Sequence, residues 1–154
     1  DMSVETMTRL FELKNIVGVK DATGDLNRAV EQRKQMGDKF IMLTGEDSNA
    51  LEFNKKGGSG CISVTANVAA KLCSEMQNAS LEKTNDKLQK RADEINKLLT
   101  PLNKSLFIES NPSPVKYAAS LLELSPDEVR LPLVKITEPT KSAILKALKY
   151  AHLI

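Results

Sequence analysis

Hydrophobic and polar positions along this chain switch repeatedly between a helical period and short apolar runs. Val4, Met7, Leu10 and Phe11 recur at helical spacing, and Ser3 or Asp1 ahead of them can accept a hydrogen bond from the first free N–H groups, so a helix is predicted there. Asn15-Ile16-Val17-Gly18-Val19-Lys20 is a β-branched run of strand length. It stops at Asp21-Ala22-Thr23-Gly24-Asp25, whose Gly and Asp residues suit a turn and a helix entry. The predicted helix carries Leu26, Ala29, Val30 and Arg33 on one side and ends near Met36-Gly37, where glycine can take a left-handed C-cap conformation. The cycle then repeats twice. Phe40-Ile41-Met42-Leu43 reads as a strand, Thr44-Gly45-Glu46-Asp47 as a turn, and Ala50, Leu51 and Phe53 as a helix ending before Gly57-Gly58. Ser59 to Val64 reads as a third strand, Thr65-Ala66-Asn67 as its exit, and Val68, Leu72 and Met76 as a third helix.

Three successive strand–helix units imply parallel strands with right-handed crossovers and helices on both sheet faces, an α/β architecture. Beyond Leu81 the pattern is helical throughout: Leu88, Ala92, Ile95, Leu99 and Leu102 form one long stripe, and three more segments follow. Pro114 can open a helix at its first position, where a missing N–H costs nothing. Ser125-Pro126-Asp127-Glu128 has the form of a capping box and predicts another helix start. Ile144, Leu145 and Leu148 mark the last helix. A three-stranded parallel sheet has two open edges and buries little by itself. With no Met at position 1, the chain reads as part of something longer, in which five further units would complete a (β/α)8 barrel of roughly 250 residues. Residues 1–80 would then be the partial barrel and 81–154 an appended helical domain.

Composition narrows the function classes. Of 154 residues, 41% are hydrophobic, and 22 Lys and Arg against 20 Asp and Glu give a net charge of +2, the balance of an ordinary globular domain. No run of like charge suggests nucleic acid as a partner, and no stretch suggests a membrane span or a signal peptide, so a cytosolic protein is expected. Cys61 and Cys73 lack the spacing of a disulfide framework or zinc site and are expected to be buried, reduced thiols.

Lys20 is the most informative candidate, because it ends an apolar strand, where parallel α/β folds place their functional groups. A lysine kept from water there holds more neutral amine and can attack a carbonyl carbon to form a Schiff base. The pattern alone equally allows a lysine that snorkels to solvent or pairs with Asp21 or Asp25. Gly45 and the cluster Gly57-Gly58-Ser59-Gly60 allow close backbone approach, as a phosphate loop or as structural turns; the spacing matches neither a Walker motif nor a dinucleotide fingerprint. Glu46-Asp47 suits a metal, a substrate hydroxyl or a helix entry favoured by the dipole. His152, the single histidine, is expected on the surface, so no Ser/His/Asp triad can be built.

The segment Gly18-Val19-Lys20-Asp21-Ala22-Thr23-Gly24-Asp25 resembles the signature of the dihydrodipicolinate synthases. Leu43-Thr44-Gly45-Glu46-Asp47, Gly57 through Asn67, Asn111-Pro112-Ser113-Pro114-Val115-Lys116 and Leu131-Pro132-Leu133 resemble the same family in the same order, over nearly the whole chain. The resemblance implies strands six to eight of a (β/α)8 barrel plus a C-terminal helical domain. It implies that Lys20 condenses with pyruvate, that the resulting enamine attacks aspartate 4-semialdehyde on the route to diaminopimelate and lysine, and that no metal or organic cofactor takes part. Ile62 matches a position whose backbone borders pyruvate, Gly45 lines the pocket, and Glu46 stands where the family often has Asp. The family's catalytic tyrosine, proton relay and carboxylate-binding arginine match nothing in this chain, since Tyr117 and Tyr150 fall in the helical tail. The chain alone is therefore expected to be nearly inactive, and the family to be a homotetramer. Another class I pyruvate aldolase, such as an N-acetylneuraminate lyase, and a non-catalytic half-barrel assembly module are the competing readings.

Overall fold

The structure, a computed structural model, describes residues 1–154. Three parallel strands form one sheet in the order β1 (Gly18–Asp21), β2 (Ile41–Thr44), β3 (Gly60–Cys61). Helix α1 (Val4–Phe11) precedes β1, α2 (Leu26–Met36) joins β1 to β2, and α3 (Ala50–Lys55) joins β2 to β3. Four helices complete the chain, α4 (Ala66–Leu81), α5 (Asp86–Ser105), α6 (Ser113–Leu121) and α7 (Glu138–Tyr150). The α/β class and the helical tail follow the expectation, and no helix is long and apolar enough to cross a membrane.

The residues divide into two compact units, Asp1–Ser63 with Gln77–Gln89 and Val64–Met76 with Lys90–Ile154. In the first, Met7, Ala29, Met36, Phe40, Met42 and Phe53 form the core, with Val4, Phe11, Val19 and Leu26 packed against it. Phe11 meets Phe40 edge to face at 5.0 Å. Ser3 caps α1 by accepting from the Thr6 N–H, as its sequence position predicts. In the second unit, α5 buries Ala92, Ile95, Leu99 and Leu102 along the stripe read from the sequence. Helix α6 buries Val115, Ala118 and Ala119, and α7 buries Ile144, Ala147 and Leu148.

Five local readings need correction. Strand β1 starts at Gly18, because Ile16 is drawn into a turn by its N–H bond to the Leu13 carbonyl (3.0 Å). Only Gly60 and Cys61 form the β3 ladder, with one more bond on each side, from Ser59 N–H to Met42 and from Ile62 N–H to Thr44. On α2, Val30 is exposed and Gln32 takes its place on the buried face beside Ala29 and Met36. Gly37 does cap α2 with a positive φ of 68°, but its ψ of −171° is extended and outside the left-handed helical region. No helix starts at Ser125. The Ser125 hydroxyl turns to the Pro126 carbonyl (3.4 Å), Asp127 is held by Lys135 (3.1 Å), and Pro132 bars Leu131 from helical geometry. The few residues between the two prolines cannot nucleate a helix, and they lack a buried stripe to stabilise one.

Candidate active site

Lys20 and Asp21 are the last residues of β1, and successive strand residues point to opposite faces. Asp21 points into the helix side and is 6% exposed. Its Oδ1 accepts from the Thr23 N–H (2.9 Å) and hydroxyl (2.6 Å), and its Oδ2 accepts from Arg28 Nε (2.8 Å) and Gln32 Nε2 (2.9 Å). Burial pushes the Asp21 carboxyl up, but bonds from the Thr23 hydroxyl and N–H, Gln32 and Arg28 outweigh it and hold the group below the ordinary carboxylate range. Asp25 accepts from the Asn27 N–H (2.8 Å) as the cap of α2. Both acids that the sequence offered as ion-pair partners for Lys20 are thus engaged elsewhere, which removes that reading of the lysine.

Lys20 is exposed on the opposite face, as in the reading of a lysine that reaches solvent and contrary to the expectation of one kept from water. Its stem runs past Gly45: a β-carbon built on Gly45 would lie 2.9 Å from Lys20 Cε and 3.0 Å from Ala22 Cβ. Only a residue without a side chain leaves room for the lysine in this position. The Gly45 N–H donates to the Asp21 carbonyl at 2.7 Å, and the Ile62 N–H donates to the Thr44 carbonyl at 2.9 Å. Since Lys20 pairs with Leu43 and Leu43 with Gly60, the register brings Gly45 and Ile62 side by side just beyond the ladder. Lys20, Gly45 and Ile62 therefore gather at the carboxyl ends of three adjacent strands, the end at which open α/β sheets bind ligands. Glu46 follows directly, half-buried, and leads into a 3-10 turn (Asp47–Asn49) without capping it through its side chain.

Two contacts escaped the sequence reading. Asp47 is buried and accepts from the Ser63 hydroxyl, with Cys61 Sγ 4.0 Å from the same oxygen, so it ties the end of β2 to the end of β3. Cys61 is only half-buried, contrary to expectation, whereas Cys73 is buried; neither is in a disulfide. Gln32 was equally hidden, because a buried glutamine on a helix has no sequence mark except its spacing from Ala29 and Met36. The glycine cluster serves packing. Arg33 donates to the Gly57 carbonyl (3.1 and 2.6 Å), and a β-carbon on Gly58 would lie 2.2 Å from the Phe53 ring. His152 is exposed near the C-terminus, Tyr117 lies under the Lys141 ammonium at 5.7 Å, and Tyr150 ends α7, more than half exposed.

The sequence profile of the dihydrodipicolinate synthetase family matches residues 1–151. This chain belongs to that family. A 4-hydroxy-tetrahydrodipicolinate synthase of Pelagibacter ubique is 63% identical over all 154 residues, which cover 52% of that relative. One of Methylobacterium radiotolerans is 55% identical over the same residues, covering 50% of it. Among solved structures, a chloride-inhibited dihydrodipicolinate synthase of Acinetobacter baumannii complexed with pyruvate superposes with a TM-score of 0.93 at 38% identity, covering 100% of this chain and 52% of that one. The enzyme of Aquifex aeolicus gives a TM-score of 0.91 at 37% identity, covering 99% and 51%. This chain thus spans about half the length of the family members it matches.

Proposed function

We propose that this chain carries the imine-forming part of a pyruvate-dependent lyase that makes 4-hydroxy-tetrahydrodipicolinate from pyruvate and aspartate 4-semialdehyde. The observation that carries the reading is Lys20 at a strand's carboxyl end, exposed, with its stem over Gly45 and its two acidic neighbours bound elsewhere. Neutral Lys20 Nζ attacks the keto carbon of pyruvate; the carbinolamine loses water to an iminium, whose positive nitrogen draws electrons from the methyl carbon as that carbon gives up a proton. The enamine carbon then bonds to the aldehyde carbon, and the substrate's own amine closes the ring and releases Lys20. Gly45 and the backbone at Ile62 border the pyruvate, and Glu46, next to Gly45, is a further substrate-binding residue in this reading. The route draws on no metal or organic cofactor.

In the same reading, residues 1–80 are the last three units of a (β/α)8 barrel, 81–154 are its helical domain, and the protein is a cytosolic homo-oligomer. Its relatives named as synthases at 63% and 55% identity favour this substrate pair over the sugar acids of other pyruvate aldolases. Alone, the chain is expected to form the imine but to turn over poorly, because positioned proton transfer contributes on the order of 100- to 10,000-fold and neither tyrosine of this chain matches the catalytic tyrosine of the family. Incubation with pyruvate and borohydride, followed by peptide mass spectrometry, tests the assignment. A reduced pyruvate adduct on Lys20, absent in Lys20→Ala, is the expected result; adducts spread over the surface lysines would remove it.

A further inference from the structure

We propose that Asp21 is the positioning residue for Lys20, fixing through one side chain and one carbonyl both the direction of the lysine and the surface it rests on. The inference builds on the assignment of Lys20 as the imine-forming residue. Strand β1 is four residues long and pairs in parallel with β2. Side chains alternate with a period of two, so a slip of one residue would exchange Lys20 and Asp21 between the faces. The helix side is built to reject that exchange. Around a carboxylate that is 6% exposed it directs Arg28 Nε, Gln32 Nε2 and the Thr23 hydroxyl and N–H, one of them a permanent cation. An ammonium in that place would be buried beside the Arg28 guanidinium with no carboxylate to offset either charge, a penalised arrangement. Charge therefore specifies register where four residues of ladder specify it weakly. The Asp21 carbonyl completes the device by holding the Gly45 N–H at 2.7 Å, which keeps the bare backbone of Gly45 beneath the Lys20 stem.

The test compares the full chain with Asp21→Ala and Asp21→Asn. Asparagine keeps an acceptor for Thr23 and sets an amide N–H against Arg28 and Gln32, so it perturbs the site less and carries the test if Asp21→Ala fails to fold. The first readout is the nuclear Overhauser effect between the Lys20 ε-methylene and the Gly45 α-protons. The second is the rate of borohydride trapping of pyruvate on Lys20, per folded molecule and across pyruvate concentrations. Acylation by a small neutral reagent serves as a control for amine exposure. The expected result is loss of the Overhauser effect and a fall in trapping on the order of tenfold to a hundredfold, with acylation unchanged. A purely structural role would scale trapping with the folded fraction alone. A folded variant that traps pyruvate at the wild-type rate overturns the proposal, whether or not the Overhauser effect persists. If the wild-type chain shows no selective trapping on Lys20, the lysine assignment fails instead. The Overhauser effect then decides the geometric claim, its loss supporting the role of Asp21 and its retention refuting it.

Discussion

The two faces of the three-stranded sheet are made from the same few strand residues and live in opposite environments. On one face Val19, Asp21, Met42 and Thr44 meet helices, and the last three are almost wholly buried. On the other, Lys20 and Ile41 are exposed and Ile62, at the end of β3, is half exposed. Parallel sheets are ordinarily covered on both sides. Here stability is concentrated on the helix side and the candidate chemistry on the other, and the division runs between adjacent residues, Lys20 against Asp21 and Ile41 against Met42. Strand alternation is enough to separate the residues that hold this fold from those that would act on a substrate.

The sharpest way to break that contrast is to truncate neighbours on opposite faces. Met42 is fully buried in the core with Phe40 and Phe53, so Met42→Ala is expected to cost about 2–5 kcal/mol. Ile41, one residue earlier and nearly half exposed, is expected to cost below about 1 kcal/mol when truncated to Ala. Urea denaturation of both variants checks the pair. Similar losses would mean that the open face is also packed in solution.

Asp21 comes next in size. Asp21→Asn leaves Arg28 and the buried Gln32 amide without their acceptor and is expected to cost about 1–3 kcal/mol at neutral pH. The folded state holds the Asp21 proton affinity below that of the unfolded chain, whose value is about 4. A depressed carboxyl contributes stability that is complete above the unfolded value and is lost as pH falls through the folded one. Wild type and Asp21→Asn should therefore differ most above about pH 5 and converge on acidification below about pH 4. Thermal melts across that range measure the convergence, and a gap that stays constant would remove the carboxylate from the explanation.

Much of this arrangement was legible in the residues themselves. Periodicity identified the strand–helix alternation and every helix that buries a continuous stripe, because burial imposes spacing. It failed where a backbone-level constraint overrode local chemistry. Ser125-Pro126-Asp127-Glu128 has all the polar marks of a helix start, yet Pro132 and the lack of a buried face leave it irregular. Lys20 could be placed at a strand end but not given a direction, since the identity of the partner of Asp21 depends on Arg28 and Gln32, seven and eleven residues away on another element. Asp47 was read as a possible ligand or helix-entry acid, and its bond to Ser63 was silent for the same reason: it spans two strand ends, sixteen positions apart.

The smallest effects on stability fall at the site itself, where they say most about function. Lys20 is exposed and Lys20→Ala is expected to change stability by no more than about 0.5 kcal/mol while removing the site of pyruvate trapping. Gly45→Ala is expected to cost about 1 kcal/mol, because its new β-carbon meets Lys20 Cε at 2.9 Å and Ala22 Cβ at 3.0 Å, and to lower trapping by pushing the lysine stem aside. The two substitutions should not be additive. With the lysine stem gone, the 2.9 Å encounter disappears and the one with the Ala22 β-carbon, which is fixed to its backbone, remains, so Gly45→Ala should cost somewhat less in the Lys20→Ala background than in the wild type. Residues in contact couple by about 0.5 kcal/mol or more, and a double-mutant cycle read from urea midpoints resolves a difference of that size. Additive costs would show that the lysine stem swings aside from Gly45 without measurable strain, so that any loss of trapping in Gly45→Ala comes from its displaced direction and not from lost stability.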